Sequence, residues 1–219
     1  MDSASNREII LDSLKRFAIK PEGPVKSELV KTKIDDLDAL YESFAQGVTA
    51  AGGTVHRVKD MKEALEALDT ILKELEVSTV VISEDKMIKL VGIKDYLKGK
   101  DIKILAISKD PARHKKTCFS ADAGITGADY ALADTGTIMI YHGKDNARLI
   151  SLAPPTHIAF VEADKLLPDI DTLIAEIKPS NKSMPSAMTL ITGPSLTADI
   201  ALQPTFGMHG PKNLYVIFI

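Results

Sequence analysis

The chain has 219 residues with 30 acidic and 27 basic side chains, a formal net charge of −3 at pH 7. That balance supplies no broad cationic surface, which excludes nucleic acid and anionic membrane as natural partners. Hydrophobic residues make up 45%, charged residues 26%, and Trp is absent, the profile of a soluble globular protein with an aliphatic core.

The single cysteine, Cys118, allows no internal disulfide and no self-held iron-sulfur cluster, since a cluster takes about four thiolates. Cys118 near His114 could be drawn as a nucleophile pair. No oxyanion donors accompany it, so the inert reading is preferred. The basic run Arg113, His114, Lys115, Lys116 reads as a solvated loop. The opening MDSASNREIILDSLKRF lacks the apolar core of a signal peptide and is too acidic for a transit peptide. No run approaches the ~20 apolar residues of a membrane helix, so a reducing cytoplasm is the expected compartment.

In chain order, Ile9, Ile10, Leu14 and Phe17 recur at helical spacing and predict a packing helix over 5–17. A connection rich in Pro and Gly follows, so residues 1–33 are expected to form a helix and flexible connection ahead of one α/β domain over 34–219. Asp35 opens a helix through Leu37, Leu40, Tyr41, Phe44 and Val48, and Gly52-Gly53 can supply a positive φ at its end. Strand TVHRV comes next. Asp60 caps the helix MKEALEALDTILKEL, STVVIS is a buried strand, a helix spans Met87 to Lys98, and IKILAIS is a further strand. Helices alternating with short apolar strands predict a mainly parallel open sheet covered on both faces. Its ligand is expected outside the carboxyl ends of the strands.

After Ala121 the pattern changes. DYALA and TIMIYHG are separated only by a tight turn, which predicts a hairpin and a mixed sheet. DKLLPDIDTLIAEIK reads as a helix, and MTLITG and LYVIFI as the last strands.

The chemistry-bearing residues crowd into this second half. Asp134-Thr135-Gly136-Thr137 resembles the active-site turn of aspartic proteases, but those enzymes need a second carboxylate to share the proton. Hydrogen bonding within a tight turn explains the same residues. In ITGPSLTADI, a strand ends at Gly193 and Ser195, Thr197 and Asp199 stand where a short helix could start. That arrangement fits either an anion pocket or simple capping by Ser195. His157 enters a strand after Pro154-Pro155, and His209 lies in GMHGP. His142, His157 and His209 lack the short spacing of a zinc site, so no metal is indicated.

Taken together, GITGADYALADTGTIMI, RLISLAPPTHIAFVEADKLLPD, ITGPSLTADI and GMHGPKNLYVIFI resemble the LUD domain family in its lactate utilization protein C (LutC/YkgG-like) form. The likeness runs from about Ala121 to Ile219. It implies a fold similar to the sugar-phosphate isomerases and CoA transferases, the NagB/RpiA/CoA transferase-like fold. It also implies a role in oxidising lactate to pyruvate beside iron-sulfur partner proteins, with no cofactor held by this chain. The chain departs from the family pattern at Asp134, where Glu is common, and at Leu196 and Ala201, where a cation and a carboxylate are common. Either apolar packing replaces a salt bridge there or the specificity differs. On this reading Asp134 is the candidate catalytic base. Thr126, Thr135, Gly136, Thr137, His157, Gly193, Ser195, Thr197, Asp199, His209 and Gly210 are the candidate ligand-binding residues for a small anionic metabolite. A free-standing isomerase or CoA transferase-like enzyme, and a non-catalytic metabolite-sensing adaptor, are the alternatives.

Overall fold

The computed structural model describes residues 36–143, 145–177, 185, 187–198, 204–207 and 209–219. The predicted helix over 5–17, the connection that follows, Asp35 and Asp199 lie outside the described residues.

Helix α1 (Leu37–Ala50) starts at Asp36, whose carboxylate accepts the N–H groups of Asp38 and Ala39. It buries Leu40, Tyr41, Phe44 and Val48, the one-sided spacing an amphipathic helix needs, and Gly52 turns the chain at φ 87. Strand β1 (Thr54–Arg57) leads to α2 (Met61–Glu74). Here Asp60 accepts from Glu63 N–H while the Glu63 carboxylate accepts from Lys59 N–H, a reciprocal cap. Next come β2 (Thr79–Ile82), α3 (Lys86–Val91), α4 (Ile93–Leu97), β3 (Lys103–Ile104) and α5 (Pro111–Phe119).

The expected helix from Met87 to Lys98 is therefore two. Gly92, at φ 72, caps α3 in the left-handed conformation and restarts the chain as α4. The expected strand IKILAIS is also cut short, because only Lys103 and Ile104 pair with β2.

The second half supplies β4 (Ala123–Gly127), β5 (Tyr130–Leu132), β6 (Thr137–His142), α6 (Leu149–Leu152) and β7 (Thr156–Val161). After a 3₁₀ turn (Ala163–Lys165) come β8 (Leu166–Leu167), α7 (Ile170–Ile177), β9 (Ala187–Ile191), β10 (Leu196–Ala198), β11 (Pro204–Phe206) and β12 (Asn213–Phe218). The single helix expected from Asp164 onward is thus interrupted. Residues before a proline favour extended backbone, and Leu166-Leu167, preceding Pro168, pair with β5.

Six strands form a fully parallel sheet in the order β1-β12-β7-β4-β2-β3. The predicted hairpin β5-β6 exists, and it builds a second sheet, β8-β5-β6-β9, that is mixed. The mixed α/β class holds, with the antiparallel pairs β5-β6 and β6-β9 in the second sheet and β10-β11 in a two-stranded sheet of its own. β7 is buried along its whole length. Its Ile158 and Phe160 enter the core built with α2, α3 and α4, and Ala159 and Val161 enter the core shared with α1 and the second sheet. Alternate residues of a strand face opposite ways, so one central strand serves both cores. A smaller cluster of Val81, Cys118, Ala121 and Ile150 completes the face beneath α5 and α6.

No described helix is long and apolar enough to cross a membrane.

Candidate functional site

The sequence candidates separate into three neighbourhoods. The first is internal. Thr126 and His157 sit on the adjacent parallel strands β4 and β7, and the Thr126 hydroxyl lies 2.9 Å from His157 Nε2. Thr126 is wholly buried and His157 is 1% exposed. Burial pushes the imidazole down to about 3, and the neighbouring His142 pushes it the same way, so at neutral pH the ring is uncharged.

The second neighbourhood is the β5-β6 turn. Asp134 and Thr135 are exposed, Gly136 and Thr137 buried. Asp134 N–H donates to the Pro168 carbonyl at 3.0 Å. The Thr137 hydroxyl donates to Thr135 Oγ1 (2.8 Å), which donates to the Asp134 carboxylate (3.0 Å). The Thr192 hydroxyl, 2.6 Å from Thr137 Oγ1, must then donate to Thr137, because one hydroxyl has one proton. A chain of three hydroxyls thus ends on Asp134. Gly136 lies against Gly47 of α1, where an added Cβ would stand 2.3 Å from the Gly47 carbonyl carbon. Gly193 belongs to the same corner, against Ala51.

The third neighbourhood is the Ser195 to Gly210 loop. The helix start expected there is instead strand β10, paired antiparallel with β11. Ser195 therefore caps no helix. Its N–H donates to the Pro211 carbonyl and its own carbonyl accepts from Gly207 N–H, each at 2.8 Å. Thr197 stands opposite Thr205 in the hairpin, Gly210 adjoins Ser195, and His209 is exposed. Among the described residues no hydrogen bond joins this loop to Asp134.

Cys118 is fully buried on α5, with His114 Nε2 3.7 Å from its sulfur. Burial pushes the thiol up, which keeps it protonated and a poor nucleophile.

A fourth place combines carboxylates, cations and a cavity, and it was not among the sequence candidates. At the carboxyl ends of β4 and β7 a hollow of about 260 Å³ is lined by Asp85, Lys86, Gly127, Asp129, Glu162 and Lys165, among others. The Asp85 carboxylate accepts Ile88 N–H, Gly127 N–H at 2.9 Å and the Ser83 hydroxyl, so it is held in place. A Cβ on Gly127 would stand 2.6 Å from Asp85 Oδ1, which is why glycine ends β4. Asp129 accepts one bond, from Tyr141 N–H at 2.7 Å. Burial first, and then the negative charge of Asp85, push its carboxyl up, against the opposing pull of Tyr141 N–H and Lys165. A carboxyl with a raised pKa beside cations in a cavity is the arrangement acid-base chemistry uses. The signal in the sequence was position: Asp129 follows the buried run AGITG, and ligands of open parallel sheets gather outside strand carboxyl ends. Among the described residues no group of three or more His, Cys, Asp or Glu side chains is placed to hold a metal ion.

A six-stranded parallel sheet, a second layer fed by a hairpin and a hollow at the carboxyl edge define a mixed α/β protein of the open-sheet class. Within that class the chain belongs to the LUD domain family, whose model matches residues 41–219. It is 28% identical over 202 residues to lactate utilization protein C of Halalkalibacterium halodurans, covering 90% of this chain and 87% of that one. It is 31% identical over 162 residues to the uncharacterized protein YkgG of Escherichia coli, covering 71% and 69%. The fold matches the crystal structure of a DUF162 family protein from Deinococcus radiodurans with a TM-score of 0.59 and 22% identity, over 84% of this chain and 98% of that one.

Proposed function

We propose that this protein acts in lactate utilization, as a subunit that works with iron-sulfur partner proteins in oxidising lactate to pyruvate. The observation that carries the reading is family membership over most of the chain, with relatives bearing the name lactate utilization protein C. Oxidation of an α-hydroxy acid removes two protons and two electrons. The electrons would pass to clusters in the partner, since one cysteine cannot hold a cluster here.

The carboxyl-edge hollow is the place for the small acid, and its size suits a compact ligand. Lys86, with Lys165 shared between Asp164 and the ligand, would meet the substrate carboxylate, while Asp129 would take the hydroxyl proton and the Cα proton would pass to solvent water as the two electrons leave for the partner. Asp134 is placed less well for this task, because it is exposed and already accepts the end of a hydroxyl chain. The buried Asp129 carboxyl also supports a second reading, a free-standing isomerase or CoA transferase-like enzyme, in which it would move a proton in the former or, ionised, attack an acyl carbonyl in the latter.

The test is purification of the tagged chain, under anaerobic conditions, from its own cells growing on lactate, with assays for iron, sulfide and lactate-dependent dye reduction. Clusters and activity should arrive together. Asp129→Asn, nearly isosteric, should keep the partners and lower dye reduction by about a hundredfold, the lower range for loss of a general base. A colourless, inactive single chain would sink the subunit reading and turn attention to sugar phosphates and CoA esters. Full activity in Asp129→Asn would remove the acid-base role and leave the assembly intact.

A further inference from the structure

The loop after β2 divides the carboxyl edge of the parallel sheet in two. On its other side, beyond β2 and β3, lies a cleft of about 770 Å³, a volume typical of small-molecule sites. It exists because two neighbouring strands part. β2 runs on to Ile82 and stays with β4, the Ser83 N–H donating to the Ile125 carbonyl at 3.0 Å. β3 stops at Ile104, and after Leu105 N–H meets the Val80 carbonyl (2.8 Å) the chain turns away. The connections also diverge here, since β2 leads to α3 in the core of α2 and α4, while β3 leads to α5 over the opposite face. The strand order reverses between β2 and β4, and the cleft opens on the β3 side of that reversal, at the carboxyl edge where open parallel sheets bind ligands.

The walls of the cleft are apolar and its rim is charged. Ile82, Leu105, Ile107 and Ile150 line it, as do the cations Lys94 and Lys109, His114, and the carboxylates Glu84 and Asp145. Residues 105–107 continue the half-exposed edge strand β3 with apolar side chains, and Ile107 is left 37% exposed. Branched aliphatic side chains facing a cavity of this size favour a flat or apolar body between them. Lys94 is paired with Glu84, whereas Lys109 is exposed and has no partner among the described residues. A free ammonium beside an apolar slot suits a ligand with a planar ring at one end and phosphate at the other.

We propose that this cleft binds a nucleoside phosphate, with the ring held between Ile107 and the Ile82–Ile150 wall and the phosphate on Lys109. Lactate chemistry plays no part in the assignment, so the site stands or falls separately from the hollow at Asp129. The same ring-plus-phosphate chemistry occurs in AMP, NADH, FMN and coenzyme A, and the test separates them. Each is titrated calorimetrically into the full chain, beside ribose 5-phosphate and inorganic phosphate.

At least one of the four should bind with a Kd below about 1 mM, and the two ringless compounds should not. Lys109→Ala should weaken that binding about tenfold, the size of one lost charge-assisted contact. Ile107→Asp should abolish it by placing a carboxylate in the ring slot. Both side chains are solvent-accessible, so both variants should keep the wild-type circular dichroism and melting curve. No binding of any of the four to the folded chain overturns the assignment. So does binding that neither variant changes, or binding of phosphate alone that survives Ile107→Asp.

Discussion

Taking the protein from pH 7 to pH 5 is expected to cost the fold about 2 kcal/mol through His157 alone, given its folded value of about 3 against 6.5 for a free imidazole. The cause is burial. In the folded state a second ring proton would place an N–H on Nδ1, which has no hydrogen-bond partner, while Nε2 is committed to Thr126. His142 nearby would add its own repulsion if charged. Because the folded value lies below the unfolded one, the unfolded chain binds the extra proton first. The stabilisation is complete above about pH 6.5 and is lost as the pH falls toward 3. His142 is also depressed by burial and acts in the same direction. Asp122 and Asp69, whose carboxyls are held below the usual range, lose their stabilising bonds at lower pH still.

Urea unfolding of the wild type and of His157→Gln at pH 7, 6 and 5 measures the effect. The wild type should lose about 2 kcal/mol more than the variant across that interval. Parallel loss in both proteins would show that the acid sensitivity lies elsewhere. The variant itself should be less stable at pH 7, since it disturbs a buried hydrogen bond and the packing of a central strand.

Gly124→Ala should be among the most damaging glycine-to-alanine changes at the described residues, with a loss of about 3 kcal/mol or more. A Cβ built on Gly124 would stand 1.8 Å from the Ile150 carbonyl oxygen, 2.9 Å from its carbonyl carbon and 3.2 Å from Pro154. The obstacle is backbone, so no side-chain rotation relieves it. Either α6 lifts from β4, opening the cluster of Val81, Cys118 and Ile150, or the strand shifts and breaks register with β7. Gly143→Ala is the matched control, since nothing lies within 4 Å of its added Cβ, and it should change stability by no more than about 0.5 kcal/mol. Equal midpoints for the two variants in denaturant would show that α6 yields at little cost.

Some of this protein was legible before any tertiary contact was known. Asp60 and Glu63 cap α2 as their spacing requires, and the run of Leu40, Phe44 and Val48 buries as one face. THIAFV and NLYVIF carry the branched, apolar composition of strands buried on both faces, and both lie inside the parallel sheet. These features depend on neighbours a few residues apart, so periodicity and capping chemistry determine them. The family likeness was legible too, because it rests on residue types at fixed spacing.

Other features were decided only when distant segments met. The sequence presents IKILAIS as one strand, but β3 ends at Ile104 because the chain must leave the sheet for α5, and the remaining apolar residues line a cleft. It offers Ser195 as a helix start, but pairing across to Phe206 makes a hairpin there. Thr126 and His157 stand 31 positions apart, and only the β4-β7 register makes them a pair. The exposed Asp134 drew attention through a familiar turn, whereas Asp129 acquired its raised carboxyl from burial and from Asp85, which lies far earlier in the chain. Local patterns set which segments are helix or strand. A site is made of carboxylates, cations and cavities contributed by separate segments, and their charge and exposure are defined by what folding places beside them.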